Sequence, residues 1–223
     1  MNIAEFLLPG MGETSIIDIS LPLETGVPVW PDSPGLNLTW AYRLDKGGPC
    51  NLTRLDMDIH IGTHIDAPLH SLDKADAIDE IPLEVLAGRA LVVDLSGAGV
   101  ITAKDLEELN LPQGVERLLF RTKNSEFWRD FKQTFREDFV GLAADAAQWL
   151  VDHKIKLVGI DYLSVANFKQ GEAVHEILAK NNVTILEGLN LLMAPAGEYE
   201  LVCLPLKLTG REAAPARAIL KTL

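Results

Sequence analysis

Leu55-Asp-Met-Asp-Ile-His60-Ile-Gly-Thr-His64-Ile-Asp66-Ala-Pro68-Leu-His70 is the stretch from which the rest of the chain is best read. It opens as a strand, because Leu55, Met57 and Ile59 alternate with other residues and alternate side chains of an extended backbone share a face. His60, His64, Asp66 and His70 have one parity, so an extended continuation points three imidazoles and a carboxylate into one volume. Gly62 lets the backbone bend or lets another group approach closely, and Pro68 stops regular pairing and turns the chain before His70. The expectation is a strand that breaks into a shaped loop. Three of the chain's five histidines fall between positions 60 and 70. A lone histidine would carry no functional weight. Three in phase with an aspartate, buried without a metal, would need several polar partners. Zinc and its neighbours favour this nitrogen and oxygen set.

Outward from this segment, short apolar runs rich in β-branched residues read as strands over 16–19, 36–40, 55–59, 90–95, 117–121, 156–161, 183–187, 200–204 and 217–220. Thr102-Ala-Lys-Asp105 resembles a capping box before Leu106 and Leu109. The Ala-rich stretch 143–153 and the stretch 172–181, with Val174, Ile177 and Leu178 at helical spacing, read as helices. The early half is mainly β and the middle alternates β with α, which predicts a mixed α/β fold. No repeat, low-complexity tract or Gly/Ser linker divides the 223 residues, so one domain over 1–223 is expected.

The chain is 48% hydrophobic and 23% charged, an ordinary globular balance. At this length it can bury a sizeable core without disulfides or a structural metal, so a metal here would serve chemistry. Thirty-two acidic against twenty basic residues give a net charge of -12. That argues against nucleic acid and against an anionic membrane surface as partners. Cys50 and Cys203 lie far apart without CxxC spacing, and Cys203, in an apolar run, reads as a small buried hydrophobe. Met1 to Gly12 has no basic residue and only the short apolar patch 6–8, so no secretory signal is read there. With no stretch long enough to cross a bilayer, a cytoplasmic protein is expected.

The motif His60-x-Gly-Thr-His64-x-Asp66-x-Pro68-x-His70 resembles the signature of the metal-dependent cyclase-like hydrolases, which include bacterial kynurenine formamidase (arylformamidase) and isatin hydrolase. The resemblance extends to Asp18-Ile-Ser-Leu-Pro22, Pro28-Val-Trp-Pro31, Ile185-Leu-Glu-Gly-Leu-Asn190, Leu204-Pro-Leu-Lys207 and Ala214-Pro-Ala-Arg217, and is closest to the formamidase branch. It implies a swivelling β/β/α fold with a mixed β-sheet core, a homodimer or higher homo-oligomer, and a small-molecule substrate. It also implies a two-zinc site, with manganese the alternative metal. His60 and His64 would hold the first ion and His175, on a late helix, the second, while Asp66 and Glu187 would bridge or share both. A glutamate amid Val183, Ile185, Leu186 and Leu189 is costly to bury unless something neutralises it, and a dication does so.

By the same resemblance His70 would be the acid/base histidine and Trp30 the aromatic substrate contact. Trp30 reads equally as a Trp packed at the fold's edge. The implied reaction is hydrolysis of an aryl formamide such as N-formylkynurenine by metal-activated water, as in tryptophan catabolism. Opening of a cyclic amide or lactone at a single manganese site, and a non-catalytic metal-binding role, are the alternatives. The chain departs from the formamidases twice. Trp30-Pro31-Asp32-Ser33 stands for Trp-Pro-Gly-Asp, and Asp161-Tyr162-Leu163-Ser164 for Asp-Thr-Pro-Ser. Asp161 is expected to orient a ligand histidine and Tyr162 to reshape the pocket. His153, beside Lys154, reads as a helix C-terminal residue.

Overall fold

The computed structural model describes residues 15–130 and 134–223, so the Met1–Gly12 reading lies outside the described residues. In chain order the elements are β1 (Ile16–Asp18), β2 (Leu36–Tyr42), β3 (Leu52–Met57), β4 (His64–Asp66), α1 (Leu83–Leu86), β5 (Ala87–Asp94), α2 (Ala103–Glu108), β6 (Arg117–Arg121), α3 (Ala144–Asp152), β7 (Leu157–Ile160), α4 (Gly171–Lys180), β8 (Thr184–Glu187), β9 (Gly197–Pro205) and β10 (Ala213–Thr222). One large sheet runs β1-β10-β4-β8-β7-β6-β5-β9, and a further β9–β10 pairing closes seven of its strands into a barrel. Strands β5 to β8 are mutually parallel, and β4, β9 and β10 join them antiparallel. Strands β2 and β3 form a separate two-stranded hairpin.

Two apolar layers follow from the two-residue period of these strands. Leu119, Leu157 and Leu186 point into the barrel, where they meet Ile65, Leu201, Cys203 and Leu220. Their neighbours Leu118, Phe120, Val158, Ile160 and Ile185 point outward, against Leu106 of α2, Ala147 and Leu150 of α3, and Val174 and Leu178 of α4. Parallel strands covered on both faces read as unbroken apolar runs, as 118–120 and 157–160 do. The result is the expected mixed α/β architecture of sheet on sheet and helix. Thr102 caps α2 as expected: its Oγ1 accepts from the Asp105 backbone N–H at 3.4 Å, and Asp105 Oδ2 accepts from the Thr102 N–H at 2.8 Å. Cys203 is fully buried, and burial pushes its thiol up to about 12. No helix among the described residues is long and apolar enough to cross a membrane.

The segment 55–70 is not one extended strand. Strand β3 ends at Met57, positions 59–63 turn, and β4 lasts three residues. Gly62 makes the turn with φ +73°. It is also the point of close approach: a Cβ on Gly188, itself at φ +67°, would lie 2.1 Å from the Gly62 carbonyl oxygen. Both roles expected of Gly62 are therefore present. Pro68 opens a 3-10 turn, Pro68–His70, and ends pairing there.

Candidate metal centre

Strands β4 and β8 lie side by side, with His64 directly opposite Glu187. Ile65 and Leu186 between them face the barrel core, so His64, Asp66 and Glu187 must project from the outer face. Parity therefore accounts for His64 and Asp66. His60 and His70 arrive by other means, the Gly62 turn and the Pro68 turn. Helix α4 lies over the same face and delivers His175, whose Nε2 is 3.3 Å from Glu187 Oε1.

The six side chains form one cluster. His60 Nδ1 is 2.9 Å and His64 Nε2 is 3.4 Å from Asp66 Oδ1, and His70 Nε2 is 3.9 Å from Asp66 Oδ2. His64 Nε2 is also 3.3 Å from Glu187 Oε2. Two triplets have ligating atoms mutually within 4.8 Å, His60/His64/Asp66 and Asp66/His70/His175, and they share Asp66. The other ring nitrogens of two histidines are held by backbone: His64 Nδ1 is 2.9 Å from the Gly62 carbonyl and His175 Nδ1 is 2.8 Å from the Gly171 carbonyl. Each ring is thereby turned with Nε2 toward the carboxylates, as metal-ligating imidazoles are usually oriented.

Burial opposes ionisation of His64, Asp66, His70, His175 and Glu187, and at all of these but His70 the neighbours override it. At His64 the contacts with Glu187 and Asp66 override burial and hold the imidazole at about 9, and Glu187 does the same for His175. Asp66 is held well below the usual carboxylate range, against its burial, by the contact with His60 and the charge of His64. At His70 burial prevails and lowers the pKa, which leaves a neutral imidazole at neutral pH. Even so, His64 Nε2 and both Asp66 oxygens are buried without a well-formed hydrogen bond. Orphaned atoms of this kind are costly unless something else engages them. A dication engages all three, and the nitrogen and oxygen donor set suits zinc or a neighbouring metal.

A cavity of about 870 Å³ opens over the cluster, lined by His60, His70, His175 and Glu187 below and by Trp30, Met57, Ile61 and Leu163 at the sides. Trp30 does two things at once. It faces the cavity, and it packs edge-on against Phe135 at 4.9 Å and beside Phe168 at 5.9 Å. In the Trp30–Ser33 turn, Asp32 adopts φ +70°, a conformation glycine takes freely, so the chain keeps the turn without the glycine.

Two expectations are corrected. Asp161 touches no histidine. Its buried carboxylate accepts from Thr122 N at 2.7 Å, Thr122 Oγ1 at 2.8 Å, Ser125 N at 3.0 Å and Ser125 Oγ at 2.7 Å. Tyr162 does not line the cavity either. It is buried between Trp128 and Phe139, and its hydroxyl accepts from the Arg136 N–H, because the chain turns its apolar ring away from the cluster. Leu163 and Ser164 line the cavity instead. His153 caps α3 as expected, stacked 3.6 Å over Trp149. Glu212, 3.8 Å from His60 Nε2, was missed: a lone glutamate beside Arg211 before an apolar run gives no sequence signal.

Comparison with known proteins agrees with this geometry. The family model described as putative cyclase matches residues 17–167. Kynurenine formamidase of Bacillus cereus is 35% identical, covering 93% of this chain and 97% of its own length. Cyclase-like protein 2 of Arabidopsis thaliana is 43% identical over 94% of this chain and 80% of its own. The solved structure of a predicted metal-dependent hydrolase from Bacillus stearothermophilus superposes with a TM-score of 0.81 at 36% identity, over 95% of this chain and 100% of that one.

Proposed function

This chain belongs to the cyclase family and is a metal-dependent hydrolase, and from that premise we propose that it cleaves a small aryl formamide of the N-formylkynurenine type at a two-zinc site. The observation that carries the reading is the convergence of His60, His64, His175 and Glu187 on Asp66, whose two oxygens are buried without a well-formed hydrogen bond. His60, His64 and Asp66 would hold one ion. His175 would hold the second, with Asp66 and Glu187 shared. When bound, such ions supply Lewis acidity that polarises a carbonyl and lowers the pKa of water.

The rest belongs to the chain's own side chains. His70 faces the cavity, where partial desolvation lowers its pKa, so its imidazole accepts a proton from the attacking water and returns it to the departing amine nitrogen. Trp30 offers a flat apolar wall for an aryl ring, held in place by Phe135 and Phe168. Val165 N–H donates to Glu187 Oε1 at 2.6 Å and fixes that carboxylate against the cluster. A cytoplasmic place in tryptophan catabolism accords with this chemistry, as does formamidase activity in the Bacillus cereus relative. The test is hydrolysis of N-formylkynurenine by zinc-reconstituted protein beside a chelated control. Chelator-sensitive release of formate is expected. Absence of turnover in metal-loaded protein would overturn the substrate assignment.

A further inference from the structure

The cavity over the histidine cluster is walled by one sign of charge. Its described lining residues include the carboxylates of Asp32, Asp58, Glu172, Glu187 and Glu212, and no lysine or arginine. At the chain's own balance of 32 acidic to 20 basic residues, such a wall would carry cations as well. Glu187 is buried within the cluster. Asp32, Asp58 and Glu172 are exposed and the Glu212 side chain is 41% exposed, which puts these four on the solvent side. Asp32 lies in the same turn as Trp30, and Ser33 ties it to Asp58, donating from Oγ to Asp58 Oδ2 at 2.5 Å. Glu172 is in the first turn of α4, and Glu212, 3.8 Å from His60 Nε2, directly precedes β10. No lysine or arginine among the described residues forms an ion pair with any of the four, so their charge is spent on whatever enters the cavity.

We propose that the substrate is an aryl amide with a cationic tail, an alkylammonium, which Asp32, Asp58, Glu172 and Glu212 select over neutral and anionic amides. The inference rests on the amide-hydrolase reading of the same site and adds the charge class of its substrate. Two physical effects act together. A concave wall of one sign, backed by apolar Trp30, Met57, Ile61 and Leu163, focuses the field, concentrates cations at the mouth and turns anions away. The face of Trp30 also attracts a cation through its ring quadrupole. With the amide carbonyl at the histidines and the aryl ring against Trp30, the tail falls beside Asp32 and Asp58. An ammonium there meets carboxylates, whereas a carboxylate on the same tail meets no lysine or arginine among the described lining residues. A tail bearing the amine alone therefore fits better than one bearing both groups.

Zinc-loaded protein is assayed with para-aminomethyl formanilide and para-formamidobenzoate, beside the triple variant Asp32→Asn/Asp58→Asn/Glu172→Gln, with metal content and thermal unfolding as fold controls. Asparagine tolerates the φ of +70° at position 32 and keeps an acceptor for Ser33 at position 58. In the wild type kcat/KM is expected to favour the cation by about 10- to 100-fold at low salt, and in the variant by less than about 3-fold. Intrinsic reactivity of the two amides cancels between wild type and variant. Added salt should shrink the wild-type preference, a readout that needs no variant. Calorimetric binding of benzyltrimethylammonium against phenylmethanesulfonate, neither of them an amide, should show the same preference and the same loss in the variant. A wild type that takes the anion as readily as the cation, a preference indifferent to salt, or a folded, metal-loaded variant that keeps the wild-type preference would each overturn the proposal. Preferential binding of the ammonium without hydrolysis of either formanilide would uphold the charge class and remove the formamidase reading instead.

Discussion

Replacing Asp161 with alanine removes one buried carboxylate and leaves its donors behind. Two of them, the backbone N–H groups of Thr122 and Ser125, cannot re-aim. The hydroxyls of the same residues can rotate, and the Asn124 amide already donates to the Val140 carbonyl at 2.8 Å. Counting only the two backbone groups, at about 2 kcal/mol for each orphaned donor, gives a loss of about 4 kcal/mol. For a chain of this length that corresponds to a fall in Tm of about 8–16 °C. The damage should reach the metal centre, because Asp161 opens the segment whose Tyr162 carbonyl receives Gly188 N–H at 2.7 Å and whose Val165 N–H holds Glu187. Both backbone groups donate to Oδ2, so Asp161→Asn, with its amide oxygen in that place, keeps both bonds and should lose less than Asp161→Ala. Denaturant and thermal unfolding of the metal-free variants, followed by metal affinity, read both effects. A loss below about 1 kcal/mol for Asp161→Ala would refute the claim that this carboxylate organises the 122–125 loop.

Three further outcomes are expected. His70→Ala should keep its metal and lose about 10²- to 10⁴-fold in kcat, measured by metal analysis beside turnover. Loss of metal instead would make His70 a ligand through the Asp66/His70/His175 triplet. Gly188→Ala should destabilise the fold by about 2–4 kcal/mol, since its Cβ meets the Gly62 carbonyl at 2.1 Å and its φ is +67°; unfolding within about 0.5 kcal/mol of wild type would contradict this. In the metal-free protein His64 and His175 sit at about 9 against an ordinary 6.5. A raised folded pKa contributes stability that is full below about 6.5 and lost as pH rises through about 9. Metal must displace those protons, so uptake at pH 7 should release about two per chain, read by calorimetry in buffers of different ionisation enthalpy; no release would contradict the protonated pair.

Much of this was legible in the chain. Strands β6, β7 and β8 are apolar runs bounded by polar residues, and burial on both faces leaves that trace whatever the topology. Parity put His64 and Asp66 together because their three-residue strand keeps the period of two. The same argument reached His60 and His70 for the wrong reason, since turns rather than extension bring them in. Barrel closure was not legible, because pairing of β9 with β10 and β5 depends on partners distant in sequence. Asp161 and Tyr162 were misplaced for a related cause: which way a side chain turns at a strand's end is set by tertiary neighbours such as Ser125 and Phe139. Glu212 carries no local pattern at all.

The most direct test is a zinc titration of metal-free protein in which bound ions and N-formylkynurenine deformylation are followed together. The proposed two-zinc site predicts that turnover rises to a plateau at two ions per chain. A plateau at one ion, or two bound ions without deformylation, would contradict the account.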